Sequence, residues 1–432
     1  MLPSTVIFNK YCICERGAAL VSFFWLGDIV ENYFATLLNT KEKYKKYIRF
    51  NEREKAVVYI LHNVKNGVNV LDGQAISDII TFIYSVHCKW KNVNIPIVFY
   101  FGKVKVQDKL TYIIFECICY TLREQFRHKL TIRMQLVRSI HSEGIYTSGL
   151  ACLNQHGALT NEFNNRFKFI LNSRHFRKLV KYNALDTAVN LGEIQSDISC
   201  FLSHIDYVAA SEEEFIEDIS EMMIELVGNA LEHGKADCIM DIDVSYDNYD
   251  SHLQGDYSRY YGINIVVFNC GGIEFNHELK EKLSSFAQGV IKKPDGGDVL
   301  VLYNRYEELM TIRKKHNDMF DEEYGDDDFC NIAALQDRIS GRPELSLSGG
   351  KGLTVLIKSL QSKMDNEYCY LLSGNGGIRF KDELIKYDSH NWLGFNKEFD
   401  FTNKRPACET ILRCPIYIPG TAFNLTFVKG HK

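Results

Sequence analysis

One segment, residues 211–234, constrains the fold of this chain more than any other, because it carries a helix start, an apolar face and a helix end. Ser211 followed by Glu214 is a capping box, and Gly234 is a typical helix stop. Apolar residues recur between them at helical spacing: Phe215, Ile219, Met222, Met223, Leu226, Ala230 and Leu231. The pattern predicts a single amphipathic helix that packs against a core.

The same segment has a second, polar face. Glu225, Asn229 and His233 follow one another at intervals of four residues and therefore stack on one side of a helix. A carboxylate and an amide one turn apart can hold a water molecule and a hydrated Mg²⁺, which prefers oxygen ligands. This favours hydrolysis of a phosphate ester, with Glu225 as general base and Asn229 on the metal. An ordinary amphipathic helix with a solvated face is the alternative.

Two later segments have glycines at the end of an expected strand or at the start of an expected helix. Residues 263–273, INIVVFNCGGI, predict a buried strand that turns sharply beside a ligand. Residues 346–360, SLSGGKGLTVLIKSL, place three glycines just before an apolar helix, where backbone N–H groups can approach phosphates. Tight turns use the same residues, so the order of the segments is more informative than either one.

That order resembles the GHKL, or Bergerat-fold, ATPases, which include gyrase B, the heat-shock chaperone ATPase, MutL-type mismatch-repair proteins, and sensor and anti-sigma kinases. Glu225–Ala230 matches the family's N box, Gly349–Leu353 its second glycine box, and Gly420–Phe427 its closing strand. The first glycine box departs from the family pattern, because Asn269 stands where the family has an Asp that accepts a hydrogen bond from the adenine amino group. The resemblance covers roughly residues 195–432.

The resemblance implies ATP and Mg²⁺ as cofactors, with Mg²⁺ on Asn229. It assigns nucleotide binding to residues of all four boxes: Asn229, His233, Asn269, Gly271, Gly272, Gly349, Gly350, Lys351, Gly352, Leu353 and Thr421. Thr421 would lie beside the adenine, and His233 would either orient Glu225 or form a hydrogen bond near the helix end. Residues of about 274–348 would form the ATP lid. Within them a helix is expected over Leu300–Phe320, and residues 321–330, DEEYGDDDFC, are expected to be a solvated acidic turn.

Three functional classes agree with this resemblance. The first is an ATP hydrolase whose nucleotide state switches a lid or domain and so regulates a protein partner, in a bacterial regulatory, DNA-maintenance or defence role. The second is an anti-sigma-type Ser/Thr protein kinase, in which Glu225 activates a hydroxyl group. The third is a non-hydrolysing ATP-binding scaffold for nucleic acid or protein. Glu225 at the head of the N box favours the first two, and a homodimer is compatible with the family.

Charge divides the chain. Residues 1–200 contain 26 lysines and arginines against 16 acidic residues, and the remaining 232 residues contain 24 against 39. Two domains are therefore expected, 1–190 and 191–432, with different partners. The basic stretches Lys41–Lys55 and Arg166–Lys181 suit nucleic acid or another polyanion. Alternatively, the first is a solvated amphipathic helix, which is the favoured interpretation, and the second docks against the acidic half of the chain.

The cysteines and the apolar segments indicate the cellular compartment in which the protein is expected. The 13 cysteines are scattered, odd in number and without a CxxC motif, which is typical of reduced thiols in a cytoplasmic protein. The apolar stretch from Ala18 to Ile29 is interrupted by Asp28 and is too short to span a bilayer. No secretion signal and no membrane association are expected.

The N-terminal half contains one clear unit. Ile95–Phe101 and Leu130–Leu136 predict strands, and a helix capped by Asp108 is expected to continue to Lys129. This β-α-β pattern is loosely similar to the STAS domains that partner anti-sigma kinases. The expected fold class is α+β: a C-terminal Bergerat-fold α/β sandwich, with a mixed, mainly antiparallel sheet and helices on one face, plus an N-terminal α/β domain with a β-α-β unit.

Overall fold

A computed structural model describes most of the chain. The described residues are 49–53, 55–90, 94–124, 126–154, 160–182, 191–205, 213–246, 259–270, 273–339, 356–357, 365 and 367–431. They form two six-stranded sheets, a two-stranded hairpin and the helices that pack on them, which confirms the expected α+β class. Within these ranges, none of the helices has the length and apolar character that crossing a bilayer requires.

The first sheet is built around β5, and it contains parallel and antiparallel pairs. Its strands are β1 (Arg49–Asn51), β2 (Ala56–Ile60), β3 (Val64–Lys65), β4 (Val68–Leu71), β5 (Ile97–Val106) and β6 (Leu130–Leu136). Strands β2, β4 and β6 run parallel to β5, whereas β1 and β3 pair antiparallel at the edges. Helices α1 (Gly73–Lys89) and α2 (Lys109–Glu124) connect the parallel strands.

The predicted β-α-β unit is therefore confirmed, with three shifted ends. Strand β5 runs from Ile97 to Val106 instead of Ile95 to Phe101, and α2 ends at Glu124 instead of Lys129. Asp108 caps α2 as expected, because its carboxylate accepts a hydrogen bond of 2.8 Å from the backbone N–H of Thr111.

The second sheet is antiparallel throughout and has the order β11-β14-β10-β9-β8-β7. Its strands are β7 (Phe169–Leu171), β8 (His175–Val180), β9 (Cys238–Tyr246), β10 (Arg259–Cys270), β11 (Tyr370–Arg379) and β14 (Ile411–His431). The hairpin consists of β12 (Ile385–Tyr387) and β13 (Leu393–Phe395). Because β7 and β8 precede residue 190, the second sheet takes strands from both sides of the predicted domain division.

The remaining helices lie before and after these strands. They are α3 (Gly149–Leu153), α4 (Thr160–Lys168), α5 (Leu191–Ser203), α6 (Glu213–Glu232), α7 (His277–Ala287), α8 (Gly297–Asn317) and α9 (Asp326–Ala334). Short 3₁₀ turns are formed by Ile140–Tyr146, Asp382–Leu384 and Cys408–Thr410. Helix α8 confirms the helix expected near Leu300–Phe320.

Helix α6 matches the amphipathic helix expected from the sequence. All seven of its predicted apolar residues are buried. Its described bounds fall inside residues 211–234, and Ser211, the expected cap, lies outside the described residues. The burial explains why the periodic apolar face was a sound signal.

Both faces of the second sheet are covered, which explains why the sequence of β10 is almost continuously apolar. Ile263 and Ile265 pack in the core formed with α5 and α6, whereas Val266 and Phe268 pack in the core shared with α1 and α2. Side chains alternate between the two faces of a strand. A strand with an almost continuously apolar sequence is therefore expected where both faces are buried. The layer order is first sheet, α1 and α2, second sheet, then α5 and α6.

A buried charged network joins the middle two layers. Lys109 of α2 forms ion pairs with Asp241 and Asp243 of β9, while Arg177 of β8 forms ion pairs with Asp241 and with Glu116 of α2. The Lys109 Nζ to Asp241 Oδ1 distance is 2.5 Å, and the Arg177 Nη1 to Glu116 Oε2 distance is 2.9 Å. All five side chains are at most 1% exposed. We refer to these five residues as the buried charge network.

Burial and charge oppose one another in this network. Burial raises the pKa of Asp241, but the charges of Arg177, His175 and Lys109 outweigh it and hold that pKa well below its usual range. Burial also raises the pKa of Glu116. The carboxylate of Asp241 therefore depends on its cations to remain ionised.

The basic stretch Arg166–Lys181 contacts acidic residues of the C-terminal half. Lys178 lies 2.9 Å from Asp197, and Lys181 pairs with Asp237. Arg177 is fully buried in the network. Of the two alternatives from the sequence, these contacts favour docking within the chain.

We predict that Lys109→Met will lower the free energy of unfolding by about 3–5 kcal/mol, because it leaves two buried carboxylates short of a cation. The exposed Lys103 of β5 provides the control, and Lys103→Met should change stability by less than about 0.5 kcal/mol. Urea denaturation followed by circular dichroism measures both. Equal midpoints for the two variants would contradict a stabilising role for the network.

Candidate functional site

Helix α6 places the predicted polar residues on one half-buried face. Glu225, Asn229 and His233 are each partly exposed. The Asn229 amide donates to Glu225 Oε1 across 3.4 Å, a long hydrogen bond. Because the amide nitrogen is directed at the carboxylate, the Oδ1 atom of Asn229 is the one suited to a cation.

Asn269 lies near the end of β10 and is 1% exposed. Its Nδ2 donates to the backbone carbonyls of Ala230 and Ala236, each at 3.0 Å. Carbonyls only accept hydrogen bonds, so this pairing fixes the orientation of the amide. Both amide hydrogens hold the end of α6 to β10, and the carbonyl Oδ1 remains as the acceptor.

The Oδ1 atom of Asn269 has no hydrogen-bond partner among the described residues. Two glycines border it. A Cβ added at Gly234 would lie 2.5 Å from Oδ1, and one added at Gly420 would lie 2.7 Å from it. Gly420 also has a φ of +102°, which favours glycine. The chain thus keeps side chains away from a buried acceptor on two sides.

Thr421 is brought to the same place. It is the register partner of Asn269 in the pairing of β10 with β14. Residues from the N box, the first glycine box and the closing strand therefore meet at the end of α6. Their binding of a nucleotide stays a prediction.

His233 contacts a residue that sequence reasoning did not pair with it. Its Nδ1 lies 2.6 Å from Glu278 Oε2 of α7, and within the described residues it forms no hydrogen bond with Glu225. Burial raises the pKa of Glu278, but the hydrogen bond and charge of His233 outweigh it, so the pKa lies below its ordinary value. Of the two predicted roles, His233 takes the one near the helix end.

Residues 273–339, which include most of the predicted lid, form α7, α8 and α9. Ile273 is tied to the end of α6, because its N–H donates to the Gly234 carbonyl across 3.1 Å. One turn after Glu278, burial lowers the pKa of Lys282 to about 8. The lid segment thus contacts the N-box helix through His233 and Gly234.

The acidic turn expected over residues 321–330 is confirmed for its first three residues, which are exposed and non-helical, and is wrong for the rest. The second half of this segment begins α9, and Tyr324 and Phe329 are fully buried. Asp328 is 3% exposed and accepts two hydrogen bonds, of 2.7 and 2.8 Å, from Arg413 of β14. The distant arginine, which the local sequence does not reveal, compensates the acidic charge.

Two groups of predicted nucleotide-binding residues, the paired glycines after β10 and the second glycine box expected to cradle the phosphates, are not among the described residues. Gly271, Gly272, Gly349, Gly350, Lys351, Gly352 and Leu353 lie outside the described residues. Among the described residues, no group of three or more His, Cys, Asp or Glu side chains is arranged to hold a metal ion. A magnesium site at Asn229 would therefore rely on water and phosphate oxygens for its other ligands.

Comparison with known proteins adds no relative. Scans against protein-family models, curated proteins and solved structures each returned no match.

We predict that Asn269→Asp will destabilise the protein, and by more at pH 8 than at pH 5. The new carboxylate would face the carbonyls of Ala230 and Ala236, which raises its pKa in the folded state. A group with a raised folded pKa loses stability as pH rises above its unfolded pKa of about 4.

Urea denaturation at the two pH values tests this, with the exposed Asn317→Asp as the control. We expect a loss of about 2–4 kcal/mol at pH 8, in the range for a buried group that loses its hydrogen bonds. A loss that is the same at both pH values would contradict the assigned orientation of the amide.

Proposed function

We propose that this protein binds Mg-ATP between α6, the end of β10 and Gly420–Thr421 in the middle of β14, and hydrolyses it. The observation that supports this best is the buried Oδ1 of Asn269, which has no partner among the described residues and is bordered by Gly234 and Gly420. An acceptor of this kind suits the amino group of a purine base. Thr421, its register partner, would border the same base.

An Asn in place of the family's Asp fits the surroundings of this site. A carboxylate would place an oxygen against the carbonyls of Ala230 and Ala236, whereas the amide donates to both. The amide therefore does two things: it anchors the helix and still presents one acceptor. Adenine recognition does not require the charge of an Asp.

The catalytic assignment places two residues of α6 around the phosphates. Glu225 accepts the proton of the attacking water, and the Asn229 amide keeps the carboxylate oriented through its hydrogen bond. Bound Mg²⁺ would neutralise charge on the phosphate oxygens, with Asn229 Oδ1 among its ligands. A Ser or Thr hydroxyl of a protein partner could take the place of the water, which would make the protein a kinase.

Regulation of a partner would follow from the contacts between α6 and the lid segment. The pairing of His233 with Glu278 connects the catalytic helix directly to α7. A change at the phosphates would therefore act on both elements at once. Loops that enclose a nucleotide commonly order when it binds, and such ordering is a signal that a partner can recognise.

We predict that Glu225→Gln will retain affinity for Mg-ATP and lose phosphate release by roughly 10²–10⁴-fold, the usual contribution of a general base. Glu221→Gln, an exposed change on the same helix, should leave both unchanged. Phosphate release and fluorescent-nucleotide binding by the purified protein measure the two quantities.

Three outcomes separate the functional classes. Release by the wild type that Glu225→Gln abolishes supports a hydrolase. Tight binding without release, followed by phosphate transfer to a protein, supports the kinase. Loss of binding and release to the same extent in Glu225→Gln would contradict the role of Glu225 as base.

We predict that Asn229→Ala will weaken binding of Mg-ATP by at least about tenfold and will have little effect on binding of ATP in EDTA. The substitution removes a ligand of Mg²⁺ and leaves the contacts to adenine in place. Isothermal titration calorimetry with and without Mg²⁺ provides the test, and Asn317→Ala is the control. Equal affinity for Mg-ATP in Asn229→Ala and wild type would refute the metal assignment.

A further inference from the structure

The outer face of the first sheet, opposite α1 and α2, is exposed around Tyr100 and the basic residues after it in the part of the chain that the structure describes, although Val98 earlier on this face is buried. Tyr100 of β5 is 47% exposed on this face. Lys103 and Lys105 of the same strand, and Arg133 and Gln135 of β6, are also exposed. Parallel strands are usually covered on both faces, so an open face on such a sheet indicates a binding partner.

The register of the strands groups these side chains. Ile60, Tyr100 and Arg133 are aligned across β2, β5 and β6. Lys103 pairs with Gln135 one step further along. Directly paired residues present their side chains on the same face, so the aromatic ring lies in a row with a guanidinium and next to a lysine.

Charge on this sheet has one sign. Its six strands contain five basic residues and no acidic residue: Arg49, Lys65, Lys103, Lys105 and Arg133. Lys65 pairs with Asp72 at the sheet edge. Lys103 and Lys105 form no ion pair with any described residue, and so their charge is directed to solvent.

We propose that this outer face binds single-stranded nucleic acid, with Tyr100 stacking on a base and Lys103, Lys105 and Arg133 contacting phosphates. Exposed aromatic rings on a sheet face, flanked by basic residues, suit unpaired bases because every base presents a π-face. A duplex hides those faces in its own stack. Apart from the half-buried Ile60, the side chains grouped with Tyr100 are exposed and basic or polar, which disfavours insertion into a membrane.

The experiment measures anisotropy of a fluorescein-labelled dT or rU 20-mer with the full-length protein. Tyr100→Ala should weaken binding roughly 5- to 150-fold, the range for loss of one stacked base. The double variant Lys103→Glu/Lys105→Glu should weaken it at least about tenfold and reduce the slope of log affinity against log salt, because fewer phosphates are contacted.

The matched control is Lys314→Glu/Lys397→Glu, which makes the same change of net charge at exposed positions of the C-terminal half. This control should bind as the wild type does, and all variants should keep wild-type melting temperatures, since the substituted side chains are exposed. Running the assay without nucleotide keeps the result independent of the proposed ATPase.

Four results would overturn the proposal. They are the absence of binding by the wild type at low salt, equal weakening in the control, unchanged affinity in Tyr100→Ala, and equal or tighter binding of duplex DNA. Binding to vesicles of phosphatidylserine and phosphatidylcholine, with no binding of the 20-mers, would likewise assign the face to a membrane.

Discussion

The structure depends on how the buried charge network joins helix α2 to the second sheet. Each layer contributes charge of both signs: α2 provides Lys109 and Glu116, while the second sheet provides Arg177, Asp241 and Asp243. Removing any one of these side chains would leave at least one buried charge with fewer partners, which costs more than the pair itself contributes. Because geometry and charge must both match, the network fixes how α2 lies on the sheet that carries the candidate site.

The candidate site is built from the same sheet on its other side. Strand β9 carries the acidic residues of the network, and its neighbour β10 carries Asn269, whose amide holds the end of α6. A shift of α2 against β9 would therefore displace the neighbouring strand β10, including its end at Asn269. This arrangement provides a physical connection between the N-terminal helices and the proposed nucleotide site, through a rigid antiparallel sheet.

The sequence revealed the parts of this structure that local patterns determine. Helix α6 and the β-α-β unit were predictable because periodicity and capping are local signals. The pairing of His233 with Glu278 was not, because its partners are distant in the chain. The prediction that the acidic segment near Asp328 is solvated failed for the same reason, because the arginine that pairs with Asp328, Arg413, is distant in the chain. Two acids in the apolar strand β9 were the one local signal of the buried network.

We propose that Mg-ATP lies against the end of α6 and the end of β10. Hydrogen–deuterium exchange, compared with and without saturating Mg-ATP, tests this position directly. We predict slower exchange in residues 225–236, in the last residues of β10 and around Thr421, with little change in the first sheet. Measurable binding of Mg-ATP that leaves exchange in these three segments unchanged would contradict it.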